Sequence, residues 1–142
     1  MLREMFVETA RQRHTEAASR AKAAGRAYLN SFATGDIDAR VALFAADATF
    51  EDPIGSPPMQ GHAALRAFWE GAAGMTVRMD LEHIAACANT CAMVFTATIS
   101  IPAAGDGGES DSTSLRVVET LEVDDEGLIK TMRACFDEES IR

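Results

Sequence analysis

Glu119 has a setting that solubility alone does not explain. It stands between Val117 and Leu121 in 115–123, where Leu115, Val117, Leu121 and Val123 fall on one face of a strand. A carboxyl on that face points into a core or a pocket, where the charged form is costly and the protonated form is favoured. A protonated carboxyl donates a hydrogen bond, which suits it to holding an oxyanion. A bulge or a one-residue shift, which the adjacent Val118 would accommodate, turns the same side chain to solvent. Asp52 ends a short strand and is followed by Pro53, which fixes the chain's exit and donates no backbone hydrogen bond. A carboxylate there could overhang a cavity mouth, although Asp before Pro is ordinarily a turn residue. Glu51 should point the other way. Tyr28 is the chain's single tyrosine and lies among Leu29 and Phe32, an amphipathic placement that lets its hydroxyl reach water.

Other reactive types form no pattern. His14, His62 and His83 are scattered, and Cys87 and Cys91 straddle a turn, so no four-ligand zinc spacing exists and a metal is not expected. No nucleophile-elbow motif occurs. Phe44, Trp69, Phe95, Met132 and Phe136 are core candidates first and pocket lining second.

The elements that must position these groups change period along the chain. Residues 3–33 read as one long helix interrupted only by Gly25. Gly35 stops it and Asp36 caps a second helix, 37–46, anchored by Val41, Leu43 and Phe44. A short strand, 48–52, runs into a loop forced by Pro53, Gly55, Pro57 and Pro58. A third helix, 61–74, carries Leu65, Phe68 and Trp69. Period-two alternation then marks strands at 76–82, 93–101, 115–123 and roughly 128–136. Ala88-Asn89 and 124–127 supply the turns. The stretch 103–112 reads as an acidic surface loop whose glycines lack the Lys-Ser/Thr of a phosphate cradle. Helices first and strands second predict an α+β domain spanning 1–142, with helices on one face of a curved, mostly antiparallel sheet.

Composition sets outer limits. The chain has 142 residues, 47% of them hydrophobic and 25% charged, enough for one domain with a core. A net charge of -9 argues against a nucleic-acid partner and, more weakly, against anionic membranes. An odd count of three cysteines, a charged start and no long apolar run suggest a reduced, cytoplasmic protein.

The string from Tyr28 to Gly61, YLNSFATGDIDARVALFAADATFEDPIGSPPMQG, resembles the N-terminal half of bacterial ketosteroid isomerases. The tyrosine seven residues before Gly-Asp, the A-L-F-A-x-D-A-T stretch and the E-D-P-x-G loop carry the likeness. The end, IKTMRACFDEESI, is similar to that family's closing strand, and the likeness spans about 24–101 and 114–141. It implies a cone in which a curved sheet and three helices enclose an apolar pocket, a fold that hosts many activities. It further implies Asp52 as the catalytic base, Tyr28 as an oxyanion donor and Glu119 at the place of a protonated aspartic acid. Trp69 falls on a pocket tyrosine, and Phe44, Met132 and Phe136 fall on cavity-wall positions.

The implied reaction moves a proton within a 3-oxo-Δ5-steroid to give the conjugated enone, with no cofactor. The implied partner is a small apolar carbonyl substrate, and the implied assembly is a homodimer. Four departures stand out: Glu for Asp at 119, a lone tyrosine, residues 1–14 ahead of the family's usual start, and a 103–112 loop longer than usual. The same cone also houses hydratases, epoxide hydrolases and polyketide cyclases, as well as non-catalytic binders. The Arg or His that such chemistries use would be Arg133 or His83, which the alternation leaves on the surface or unplaced.

Overall fold

The computed structural model describes residues 1–102 and 111–142. The expected loop 103–112 therefore lies outside the described residues, apart from 111 and 112, which begin a strand.

The expected first helix is two. Helix α1 runs Leu2–Arg13 and helix α2 runs Glu16–Thr34. Thr15 separates them in extended conformation, and its hydroxyl accepts the Ala18 N–H, capping α2. No residue of α1 is buried, so no packing forces it into line with α2. Gly35 ends α2 in the left-handed conformation, at φ 67. Asp36 then caps a short helix α3, Ile37–Val41, by accepting from Ala39 N. The sequence had suggested continuation to 46, but Phe44 already opens strand β1, Phe44–Glu51. Its side chain is buried in the core, and that tertiary demand overrides local helix preference.

A two-residue strand β2, Met59–Gln60, precedes helix α4, Gly61–Gly71. The rest is sheet: β3 Thr76–Cys87, β4 Thr90–Ile101, β5 Asp111–Val123 and β6 Ile129–Cys135. Strands β3, β4 and β5 extend beyond the alternating stretches expected for them, because ladder pairing continues past the apolar residues, while β6 falls within the expected 128–136. Among the described residues the six strands form one sheet in the order β2-β1-β6-β5-β4-β3. Only β1 and β6 in that sheet pair in parallel. Ala88 takes φ 51 in the β3–β4 turn, as a tight two-residue hairpin requires.

The core fills the closed end of the sheet's concave face. Phe44, Phe50, Leu65, Met93, Leu121, Ile129 and Met132 are fully buried. Each such side chain stabilises the fold by roughly 1.5–3 kcal/mol. Tyr28, Phe44, Phe50 and Trp69 form a ring cluster, mostly edge-on or tilted, with Phe44 and Phe50 stacked. Helix α2 approaches β3 and β4 closely at Gly25. A Cβ there would lie 2.9 Å from Met93 Sδ and 3.1 Å from Cys91 Sγ. No described helix is long and apolar enough to cross a membrane.

Candidate active site

The inner face of β5 carries Val117, Glu119, Leu121 and Val123, all buried, so the register puts Glu119 inward. Its cross-strand partners are Met93 on β4 and Ala134 on β6, both buried. Tyr28 reaches the same space from α2 and is 4% exposed. Asp52 follows the last residue of β1 and remains partly exposed. Its neighbour Glu51 diverges, accepting from Gly55 N at 3.4 Å and lying 3.6 Å from Arg133.

Asp52, Tyr28 and Glu119 line one cavity of about 250 Å³, slightly below the ~300–1,000 Å³ usual for small-molecule pockets. Phe32, Phe68 and Trp69 form its helical wall, and Val77, Phe95 and Val117 part of its sheet wall. Phe136 also lines it. Of the lining expected from sequence, Trp69, Phe95 and Phe136 are in place. Phe44 and Met132 are not. Phe44 supports the wall from behind, its ring 5.5 Å from Trp69 and 6.0 Å from Tyr28. Met132 is fully buried opposite Leu121, at the filled end of the sheet, while Ala134, two residues on, reaches the cavity.

The three polar groups sit in different electrostatic states. Burial raises the Glu119 pKa to about 8, and the negative charge of Asp52 adds to the shift. Glu119 is therefore mostly protonated at neutral pH. Its Oε1 finds no hydrogen-bond partner among the described residues, which leaves it free to meet a ligand. Burial also raises the Tyr28 pKa well above its ordinary value, with the charges of Glu119 and Asp52 adding and Arg40 opposing. The phenol stays neutral. Desolvation raises Asp52 as well, making it a stronger base than a free carboxylate. The arrangement thus offers a base near the opening and two neutral proton donors deeper in an apolar chamber.

Arg133 and His83 are exposed, outside the cavity. Among the described residues no group of His, Cys, Asp and Glu could hold a metal. Sequence reasoning missed Phe32, Phe68, Val77 and Met79 as lining. The alternation of Val77 with Met79 carried a signal for the sheet wall. It also missed Arg40, which is 4% exposed. Nothing in the pattern of α3 marks that side chain as internal.

Comparison with known proteins agrees with this architecture. The SnoaL-like domain family matches residues 25–132. A steroid Delta-isomerase of Nocardioides simplex is 34% identical over 113 residues, covering 80% of this chain and 86% of that protein. The epoxide hydrolase LasB of Streptomyces lasalocidi is 30% identical over 109 residues, 77% of this chain but 38% of that protein. Among solved structures, SalBIII, an epoxide hydrolase/cyclase-like enzyme with a role in pyran ring formation in salinomycin, superposes with a TM-score of 0.76 at 24% identity. It covers 87% of this chain and 95% of its own. A Mycobacterium tuberculosis protein in complex with estradiol-17beta-hemisuccinate superposes with a TM-score of 0.75 at 23% identity, covering 87% and 98%. By the match over residues 25–132, and in keeping with the architecture of the described residues, the chain belongs to the SnoaL-like, NTF2-like family.

Proposed function

We propose that the chain is a steroid Δ5-isomerase. The observation that carries this reading is the protonated, unpartnered Glu119 carboxyl in one apolar cavity with the Tyr28 phenol and the Asp52 carboxylate. The similarity to a steroid Delta-isomerase supports it. A 3-oxo-Δ5-steroid enters with its carbonyl toward Tyr28 and Glu119. Asp52 removes a proton from the carbon between the carbonyl and the double bond. Both donors then hydrogen-bond the dienolate oxygen, and each is worth roughly 3–4 kcal/mol in the transition state. The protonated Asp52 returns the proton two carbons along the conjugated system, giving the enone. One carboxyl performs both transfers, so the reaction is redox-neutral and needs no cofactor. The protein acts as a cytoplasmic homodimer in this reading. The exposed Leu81 and Val118 are apolar residues available to a dimer contact on the sheet.

The test is the rise in ultraviolet absorbance when purified protein meets 5-androstene-3,17-dione. Turnover is expected, and Asp52→Asn should lower it by about 10²–10⁴-fold while leaving the fold intact. Absence of turnover by the wild-type protein would reject the reaction. The LasB similarity favours a second reading, epoxide opening or cyclisation in the same cavity. Under that reading a polyether epoxide precursor, and not the dione, is consumed.

A further inference from the structure

Arg40 is buried yet has no carboxylate within ion-pair distance among the described residues. The acids beside it are engaged elsewhere. Asp36 caps its own helix through Ala39 N, and Asp38 pairs with Arg66. Arg40 Nε donates to Ser31 Oγ at 2.9 Å, and Nη2 donates to the Ser31 carbonyl at 3.3 Å. A guanidinium has five N–H donors. Nη1 makes no hydrogen bond among the described residues. The guanidinium carbon lies 3.6 Å from the centre of the Phe32 ring and 5.1 Å from that of Trp69, contacts that offset part of its desolvation. Nη1 is not among the buried polar atoms without a partner, so this part of the fork is open to an incoming acceptor, and its geometry matches a carboxylate.

Arg40 lines a second cavity of about 120 Å³. That space is too small for a separate apolar molecule but large enough for a small polar group. Phe32, Trp69, Ala72, Met75 and Val77 line both cavities, so the second is a side branch of the first. Gly35, Ala73 and Met75 are exposed, so the branch lies toward the surface.

We propose that Arg40 and this branch form a subsite for a carboxylate carried by the substrate. The subsite rests on the reading of the main cavity as the place of an apolar carbonyl substrate. It narrows the substrate class to apolar ketones bearing an acid.

The test uses matched ligands. 3-Oxo-4-androstene-17β-carboxylic acid and its methyl ester are titrated into the protein, with quenching of Trp69, the chain's single tryptophan, as the signal. Decanoate and decanamide are compared alongside by calorimetry. The wild type should bind each acid about tenfold or more tightly than its neutral partner. In Arg40→Met that ratio should fall to about one with the neutral ligands little changed, and Arg40→Lys should keep much of it. Equal binding of acid and neutral partner by the wild type overturns the subsite, as does a preference that survives Arg40→Met undiminished. The wild-type comparison needs no variant, so poor folding of Arg40→Met does not remove the test. Should the steroids fail to bind while decanoate still discriminates through Arg40, the steroid reading falls and the subsite stands. Should the neutral dione turn over while no acid is preferred, the subsite falls and the isomerase reading stands.

Discussion

At the scale of single residues the site depends on two carboxyls held in opposite protonation states. Glu119 is buried and shifted to about 8, whereas Asp52 stays partly exposed. Under the isomerase reading this separation makes Glu119 the donor and Asp52 the base. It also predicts the rate profile under the isomerase reading. Activity needs Asp52 ionised and Glu119 protonated, so kcat/KM should fall on the acid side and again as pH rises through about 8. Glu119→Gln keeps a neutral donor and cannot ionise. It should retain activity and lose the limb near pH 8, leaving the later ionisation of Tyr28 as the alkaline limit. Glu119→Ala removes the donor and should cost about 10²–10³ in kcat. Stopped-flow profiles of the three proteins decide this. An alkaline limb unchanged in Glu119→Gln would assign that limb elsewhere.

At the scale of elements, the donor is only as well placed as the strand and helix that carry it. Helix α2 brings Tyr28 over the sheet because Gly25, one turn earlier on a neighbouring face, admits Met93 and Cys91 against bare backbone. Gly25→Ala would gain about 1 kcal/mol of helix propensity. It would also push a methyl to within 2.9 Å of Met93 Sδ, and Met93 is 1% exposed with little room to swing. Overpacking costs about 1–3 kcal/mol, so net destabilisation of about 1 kcal/mol is expected in urea unfolding. A stabilised variant would show that α2 can ride up without loss. Much of this layer was legible in the sequence. The alternation in 115–123 gave Glu119 its inward face without help, and Gly35 and Asp36 marked real caps. Boundaries set by tertiary packing were not legible. Phe44 turns from helix to strand because it is wanted in the core, and Thr15 splits a continuous helical pattern through one hydroxyl. Arg40 was invisible for a similar reason. Its burial comes from Phe32 and Trp69, distant in sequence or on another helix, and no local period records that.

At the scale of the whole molecule, keeping a neutral acid inside ties stability to pH. Glu119 has an ordinary value of 4.5 and a folded value of about 8, so between them the native state binds a proton that the unfolded chain releases. Stability must then fall as pH rises across that window, by at most about 1.4 kcal/mol per unit from this group. Below 4.5 the carboxyl is neutral in both states and imposes no penalty. Above 8 the penalty of an ionised buried carboxylate is fully present. The upward shift of Asp52 acts in the same direction, while Tyr28 contributes only at higher pH. Net charge of -9 adds a general repulsion that also grows with pH, so the wild-type curve alone cannot isolate Glu119. The difference between wild type and Glu119→Gln does isolate it, because both share the remaining charges. Urea unfolding at pH 5.5, 6.5 and 7.5 should show the wild type losing stability relative to the variant by about 1 kcal/mol per unit. A constant difference would mean that Glu119 is ionised throughout that range, and a carboxylate there could not donate to a dienolate oxygen.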